Sequence, residues 1–287
     1  MPRIMEDNET SEYGYLTSAP WGPKGRSFVL GATALVAQVF LDVLNSTKIY
    51  NVSRFYKSLY CRDTRGQGLL TVSNHISTVD DPSLFCALLP LSFFLTEHDH
   101  GKNRWTMCAK EFCFKTKALG TYFQNGKVLP IERGKGMGQP TMGAMTERLS
   151  RGDWVHVFPE GKISKDQKLG PMKFGTAKIL CEGSPGAADP VVLPFYHRGL
   201  EKVMPIGTKI PRVGHNTTVV VGRPIDFGNL ILECKKNHQK TAQGGTKENS
   251  GSQKERKMYY KEIMAKIEQS LLDLERECEN LHEASGA

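Results

Sequence analysis

Gly68-Leu-Leu-Thr-Val-Ser-Asn-His-Ile-Ser-Thr-Val-Asp-Asp-Pro82 changes character twice along its length. Its first part, Gly68 to Ser73, is apolar and β-branched and is bounded by glycine and Asn74, the composition of a strand. At its other end Asp81-Pro82 reads as an N-cap followed by proline at the first helical position, opening a helix that contains Leu84, Phe85, Leu88 and Leu89. Asn74 to Asp80 is therefore a strand-to-helix loop. The same alternation runs on, with strands at Val128 to Ile131, Trp154 to Phe158, Val191 to Phe195 and Thr217 to Val221, and helices at about Thr141 to Leu149 and Phe174 to Cys181. Strands alternating with helices predict an α/β domain built on a mixed, largely parallel sheet flanked by helices.

The loop carries a histidine and a carboxylate five apart, His75 and Asp80. Five residues do not stack on one helix face, so a turn must fold Asp80 back toward His75. There it would hold the imidazole tautomer whose other nitrogen is free to take a proton from a hydroxyl nucleophile. Further on, Ile131-Glu-Arg133-Gly134 places an arginine at a strand end, suited to a bidentate grip on phosphate. Val157-Phe-Pro-Glu160-Gly161-Lys162 leaves another strand through a tight turn. Ligands of open α/β sheets bind off the carboxyl ends of the strands, so three such ends bearing His/Asp, Arg and Glu/Gly/Lys point to one site.

The remaining composition sets bounds. The 287 residues, 39% apolar and 24% charged, suit a folded chain rather than a disordered one, a collagen, a coiled-coil rod or a multi-span membrane protein. The formal net charge of +8 is uneven: Gly101 to Leu180 holds 15 Lys or Arg against 6 Asp or Glu, 15 − 6 = +9, leaving −1 for the rest. An anionic partner met by the middle of the chain is expected, and nucleic acid is disfavoured because no reader motif accompanies the charge. Seven scattered cysteines without a CxxC pair read as reduced, packed thiols. His98 and His100 read as part of a surface loop, and no metal set is completed around them.

Five segments follow. Residues 1–26 form a polar stretch whose Glu6, Asp7, Glu9 and Glu12 do not suit an acid-poor matrix presequence. The uncharged run Phe28 to Leu41 is shorter than the roughly 20 residues needed to cross a bilayer. A core helix and a leaflet-dipping helix compete there, and Trp21, Lys24 and Arg26 favour an interfacial, membrane-inserting helix over 27–44. The main domain spans 45–234, and within it the run Pro82 to Leu95, broken by Pro90, reads as a short buried helix and a turn. Residues 235–257 are expected to be a flexible polar linker, and 258–287 a C-terminal amphipathic helix with Tyr260, Ile263, Ile267, Leu271, Leu274, Cys278 and Leu281 on one face. Trp154 and His156 alternate with Val155 and Val157, which makes His156 a buried, satisfied histidine. Phe112, Phe114 and Phe123 read as core.

Taken in order, Asn74 to Asp80 (NHxxxxD), the block ending at Arg133, Phe158 to Gly161 (FPEG) and Val192-Leu193-Pro194 resemble the glycerolipid acyltransferase superfamily over roughly Leu69 to Pro224. Within it the chain is most similar to the mitochondrial phospholipid–lysophospholipid transacylases, on Val72-Ser-Asn-His75, Asp80-Asp81-Pro82, Lys110-Glu111, Gly126-Lys127, Arg133-Gly134 and Gly152 to Lys162. It departs from them in a polar insertion, Gln239 to Gln253. The resemblance implies that His75 and Asp80 are catalytic, that Arg133 holds a lipid phosphate, and that Glu160 and Gly161 shape the acceptor pocket. Lys110, Lys162 and Lys173 are implied headgroup contacts, and no cofactor or metal is implied. The implied partners are membrane phospholipids and lysophospholipids (cardiolipin, monolysocardiolipin, phosphatidylcholine), with self-association into a homo-oligomer left open. The implied place is a mitochondrial membrane, bound monotopically on the side facing the intermembrane space, and the implied role is cardiolipin remodelling. An acyl-CoA-dependent acyltransferase and a non-catalytic anionic-lipid-binding module are the alternatives.

Overall fold

The computed structural model of the protein describes residues 11–62, 66–96, 102–183, 189–243 and 250–284. Helices α1 (Gly14–Thr17) and α2 (Gly22–Gln38) lead through a π-helical turn at Val39–Val43 into strand β1 (Ser46–Tyr50), helix α3 (Val52–Tyr60) and β2 (Leu69–Ser73). Next come α4 (Asp80–Leu88), α5 (Leu91–Thr96), β3 (Thr106–Ala109), α6 (Lys110–Cys113), α7 (Lys117–Asn125), β4 (Val128–Ile131), α8 (Pro140–Ser150) and β5 (Trp154–Val157). The chain finishes with α9 (Gly175–Glu182), β6 (Val191–Arg198), α10 (Leu200–Val203), β7 (Asn216–Val221), α11 (Leu230–Gln243) and α12 (Ser250–Ala284).

Five strands form a sheet in the order β1-β7-β6-β2-β5. β5, β2 and β6 are parallel, β7 runs against β6, and β1 is parallel to β7. The parallel pair β3-β4 continues the sheet beyond β5, where Trp105 N donates to Trp154 O and His156 N to Trp105 O, both at 2.8 Å. The architecture is thus the expected mixed, largely parallel sheet flanked by helices. Its direction matters most: β6, β2, β5, β3 and β4 all deliver their carboxyl ends to one edge.

Every residue of β2 is buried. Successive strand side chains point to opposite faces. Leu70 and Val72, with Val155 and Val157 of β5, join a core closed by α8, α9, α11 and α12. Leu69 and Trp154 join the opposite core, closed by α2, α3, α4 and α5. Burial on both faces is why these strands read as near-continuous apolar runs. Pro90 splits the second apolar run into two helices, α4 and α5, rather than a helix and a turn.

α2 packs with one side in the core and the other side exposed. Val29, Leu30 and Ala34, with Leu41 of the π turn, enter the core, while Phe28, Leu35, Val36, Val39 and Val43 are exposed. With its π turn the helix spans Gly22–Val43, 22 residues, longer than the run of uncharged residues implied. Gln38, an oddity in an apolar run, donates its Nε2 to the carbonyls of Cys86 (3.1 Å) and Leu89 (2.9 Å), two of the orphan acceptors at the end of α4.

Three further expectations need correction. Asp81 does not cap α4: the helix starts one residue earlier, at Asp80, after an uncapped Val79, and Asp81 turns to Arg104 instead. The stretch expected as a polar linker is helical where described, since α11 runs on to Gln243 and α12 begins at Ser250; residues 244–249 lie outside the described residues. Low apolar content misled there because Ile231 and Cys234 suffice to seat α11, and the 35-residue α12 draws its hold from Tyr260, Ile263, Ile267, Leu271, Leu274 and Cys278 further along. The thiols are not all free: Cys108 pairs with Cys113 and Cys181 with Cys234, leaving Cys61, Cys86 and Cys278. The second pair joins α9 to α11 across 53 residues of chain, a proximity that spacing cannot reveal. His98 and His100 lie outside the described residues, as do residues 1–10.

Candidate active site

β2 ends at Ser73, and the next seven residues fold into a loop tied at every level. His75 Nδ1 lies 2.8 Å from Asp80 Oδ2, which also accepts the backbone N–H of Ile76 (2.7 Å) and of Ser77 (2.8 Å). Two amides converging on one oxygen hold the carboxylate as an acceptor, so Nδ1 is the nitrogen that donates, and the neutral ring in this tautomer has its lone pair on Nε2. Asp80 is fully buried, whereas the His75 side chain is 20% exposed, which leaves the imidazole as the open member of the pair.

The neighbouring strand ends fix the loop. Asn74 donates Nδ2 to His197 O (2.9 Å) and accepts from His197 N (3.0 Å), so its amide mimics the ladder between β2 and β6 one residue past Ser73. His75 N donates to Glu160 Oε1 (3.0 Å), and His75 O accepts from Ser164 N (2.7 Å). Glu160 Oε2 in turn accepts from Gly170 N at 2.9 Å. Both Glu160 oxygens are therefore spent on backbone. The residue is 1% exposed and lies under His75 rather than on its open side. Burial pushes the Glu160 carboxyl above its usual range, and the Gly170 and His75 amides oppose that. Gly161 follows with φ +63°, closing a turn in which its N–H meets Phe158 O at 3.0 Å. A β-carbon there would crowd the flexible Lys173 side chain at 3.0 Å and sit in the left-handed region, so glycine is favoured.

Beneath the imidazole sits an aromatic and polar stack that deepens from half-buried Phe158 to fully buried His156. The His75 ring lies on Phe158 at 4.1 Å between centroids and 16° between planes, and Phe158 meets His156 edge-on at 4.6 Å. His156, fully buried as its strand position predicts, bonds Thr71 Oγ1 through Nδ1 at 2.9 Å. Desolvation foremost, then the nearby Arg104, His75 and His197, holds its pKa well below the ordinary histidine value. The unfolded chain accepts a proton near pH 6.5 that folded His156 refuses. Stability is therefore expected to fall as pH drops below about 6.5, by up to about 1.4 kcal/mol per unit from this group. Urea midpoints between pH 7 and 5 check this, and His156→Gln should flatten the profile; an unchanged slope would remove the assignment.

Two features escaped the sequence. Arg104 grips Asp81 through Nε–Oδ1 (2.9 Å) and a second nitrogen to Oδ2 (2.5 Å), next in sequence to the His75–Asp80 loop. Burial acts to lower its pKa, but the Asp81 carboxylate outweighs burial and holds the guanidinium above its ordinary value. His197, also fully buried, bonds Asn74 O through Nε2 (3.1 Å) and stands 3.9 Å from Asp80 Oδ2. A histidine directly following the apolar run Val191 to Tyr196 was the available signal.

At the far side of the shared edge, β3 and β4 present Lys110, Glu111, Glu132 and Arg133. Arg133 pairs with Glu111 Oε1 at 3.4 Å and lies 5.2 Å from the ring centroid of Phe112, which is exposed. Lys110 pairs with Glu132 at 3.2 Å. Arg133 and Lys110 are about half exposed, and Lys162 and Lys173 are exposed, whereas Asp80 is sealed and His75 partly open. Phe112 is a correction: it stands in solvent rather than in the core. No cluster of His, Cys, Asp or Glu able to hold a metal occurs among the described residues.

Comparison with known proteins fits this geometry. Residues 45–198, over half of the chain, match the family model described as Acyltransferase. The chain is 34% identical over 258 residues to tafazzin of Drosophila melanogaster, covering 89% of this chain and 62% of that protein, so it spans less than two thirds of that relative. It is 36% identical over 203 residues to the Dictyostelium discoideum protein named taffazin (70% of this chain, 69% of that one). It is 34% identical over 209 residues to N-acylphosphatidylethanolamine synthase of Arabidopsis thaliana (70% and 71%). His75, Asp80, Arg133 and Glu160 all lie inside the matched stretch, and the chain belongs to the glycerolipid acyltransferase superfamily and, within it, to the tafazzins.

Proposed function

We propose that the protein is a phospholipid–lysophospholipid transacylase. The observation that carries the reading is the His75–Asp80 pair, 2.8 Å apart at the carboxyl edge of the sheet, with its open imidazole face toward that edge. His75 Nε2 takes the proton of a lysophospholipid hydroxyl as that oxygen attacks the acyl carbonyl of a second phospholipid. The tetrahedral intermediate collapses, the C–O bond to the donor glycerol breaks, and the departing oxygen recovers the proton from His75. One ester replaces another, so no activated donor is required. Asp80 steadies the imidazolium formed between the two steps.

Arg133 is assigned to the lipid phosphate, with Lys110, Lys162 and Lys173 as weaker headgroup contacts. Glu160 acts as a positioning residue, because its carboxylate holds the backbone of His75. Arg133→Ala is expected to raise the KM for the lysophospholipid about tenfold with little change in kcat, as loss of binding shared by ground and transition states does. A fall in kcat alone would remove Arg133 from the phosphate. Monolysocardiolipin as acceptor, cardiolipin remodelling and residence on a mitochondrial membrane facing the intermembrane space complete the proposal, and the tafazzin relatives support them. The domain limits 45–234 and the interfacial role of residues 27–44 are part of the same reading.

Acyl exchange followed by mass spectrometry tests it, using isotope-labelled phosphatidylcholine and monolysocardiolipin without CoA. Label is expected in the lysophospholipid, reversibly. Transfer that needs acyl-CoA would replace this reading with the acyl-CoA-dependent one. Transfer to the amine of phosphatidylethanolamine would favour a second reading, which the Arabidopsis relative's name supports.

A further inference from the structure

The segment Pro205 to Gly214 joins α10 to β7 as a closed loop. Arg212 N donates to Val203 O at 2.7 Å across its neck, and Thr208 bonds back to Pro205 O through both its N–H (3.1 Å) and its hydroxyl (2.7 Å). Its outward side chains are apolar: Ile206, Ile210 and Val213 are 49%, 78% and 58% exposed. Between them stand the exposed cations Lys209 and Arg212, and from Lys202 to Ile225 the sequence contains no Asp or Glu. A tethered loop with isoleucines outward gains nothing in water.

The loop is fastened at two places. On one side Gly214 N donates to Leu44 O (2.8 Å) and Asn45 Nδ2 to Arg212 O (3.2 Å), so it abuts the end of the π turn, where Val43 and Leu44 are exposed. On the other side Ser77 Oγ donates to Met204 O at 2.8 Å. Ser77 is also one of the two residues whose amides fix the Asp80 carboxylate. One segment therefore links the exposed end of the N-terminal apolar helix to the His75–Asp80 loop. Asp42, exposed on the same π turn, suits the headgroup level rather than the hydrocarbon.

We infer that the loop 205–214 is a second membrane-insertion element, burying Ile206, Ile210 and Val213 in an anionic phospholipid leaflet and seating the catalytic loop at the lipid surface. The apolar side chains match acyl chains, and Lys209 and Arg212 match lipid phosphates at the depth where such side chains snorkel. The inference rests on the acyl-transfer reading only for the link to catalysis.

The test places a fluorophore at the loop tip. Trp105 and Trp154 are buried and Trp21 is exposed, so in a Trp21→Phe background an Ile210→Trp substitution adds the emission that reports on lipid. Vesicles of equimolar phosphatidylcholine and phosphatidylglycerol with brominated acyl chains are expected to quench that added emission. Vesicle-bound protein whose added emission stays unquenched overturns the inference. In the otherwise native chain, Ile206→Ser with Ile210→Ser should lower acyl exchange on those vesicles at least about tenfold. Exchange between short-chain lipids dispersed as monomers should be unchanged; equal loss on both substrates overturns the link to catalysis. An unsubstituted protein that exchanges no acyl chains on either substrate counts against the acyl-transfer reading, while the quenching result still decides the loop.

Discussion

His75→Ala should lower acyl exchange about 10³-fold or more while the protein stays folded and vesicle-bound. The size follows from the role. Without Nε2, the attacking hydroxyl must lose its proton to water, and the leaving oxygen has no acid to receive one from. The fold tolerates the change because the His75 side chain reaches solvent and, among the described residues, makes the Asp80 bond and the Phe158 stack alone; its amide and carbonyl, which meet Glu160 and Ser164, remain. Truncation should therefore cost about 1 kcal/mol of stability. Acyl exchange, vesicle sedimentation and urea unfolding on one preparation check the triple outcome. Retained exchange would end the assignment of His75 as the base.

Asp80→Asn should fail in both respects. Asp80 Oδ2 accepts from His75 Nδ1, Ile76 N and Ser77 N, while Oδ1 is buried with no hydrogen-bond partner among the described residues. An amide has two placements here. If its oxygen keeps the three donors, its NH₂ is buried where nothing accepts it. If it flips, its NH₂ opposes all three. Either way a buried donor is left unmet, at a cost of about 1–3 kcal/mol. The charge that stabilises the imidazolium is also gone, and loss of the buried acid of a His–acid pair lowers rate by about 10⁴-fold in comparable sites. Exchange rate and urea midpoint together separate the two losses. A variant with the stability loss but the parental rate would make Asp80 structural only, and His75 a base working alone.

The two substitutions differ because burial differs, and burial is what sequence spacing does not carry. The five-residue interval from His75 to Asp80 called for a turn, and the turn exists, but two amides on the same carboxylate oxygen were invisible. Arg104 is 23 residues from Asp81 in sequence, with no motif joining them. Glu160 was read as a wall of the acceptor pocket because FPEG ends a strand; its 1% exposure and two backbone partners put it under the histidine instead. β1 and β3, each short and partly exposed, lacked the continuous apolar run that revealed β2, β4, β5, β6 and β7.

What the sequence determined alone was the alternation of strand and helix, and with it the edge to which the strands before His75, Arg133 and Glu160 all run. That information is local: a run of Leu, Val and Thr ending in Asn74 is a strand end whatever surrounds it. Tertiary structure alone decided which member of each polar set is open and which is sealed. It left His75 open and sealed Asp80, paired Cys181 with Cys234, and turned one side of α2 into the core and the other outward. Those outcomes depend on which distant elements close over a residue, because desolvation and hydrogen-bond satisfaction belong to the packed assembly and not to any stretch of chain.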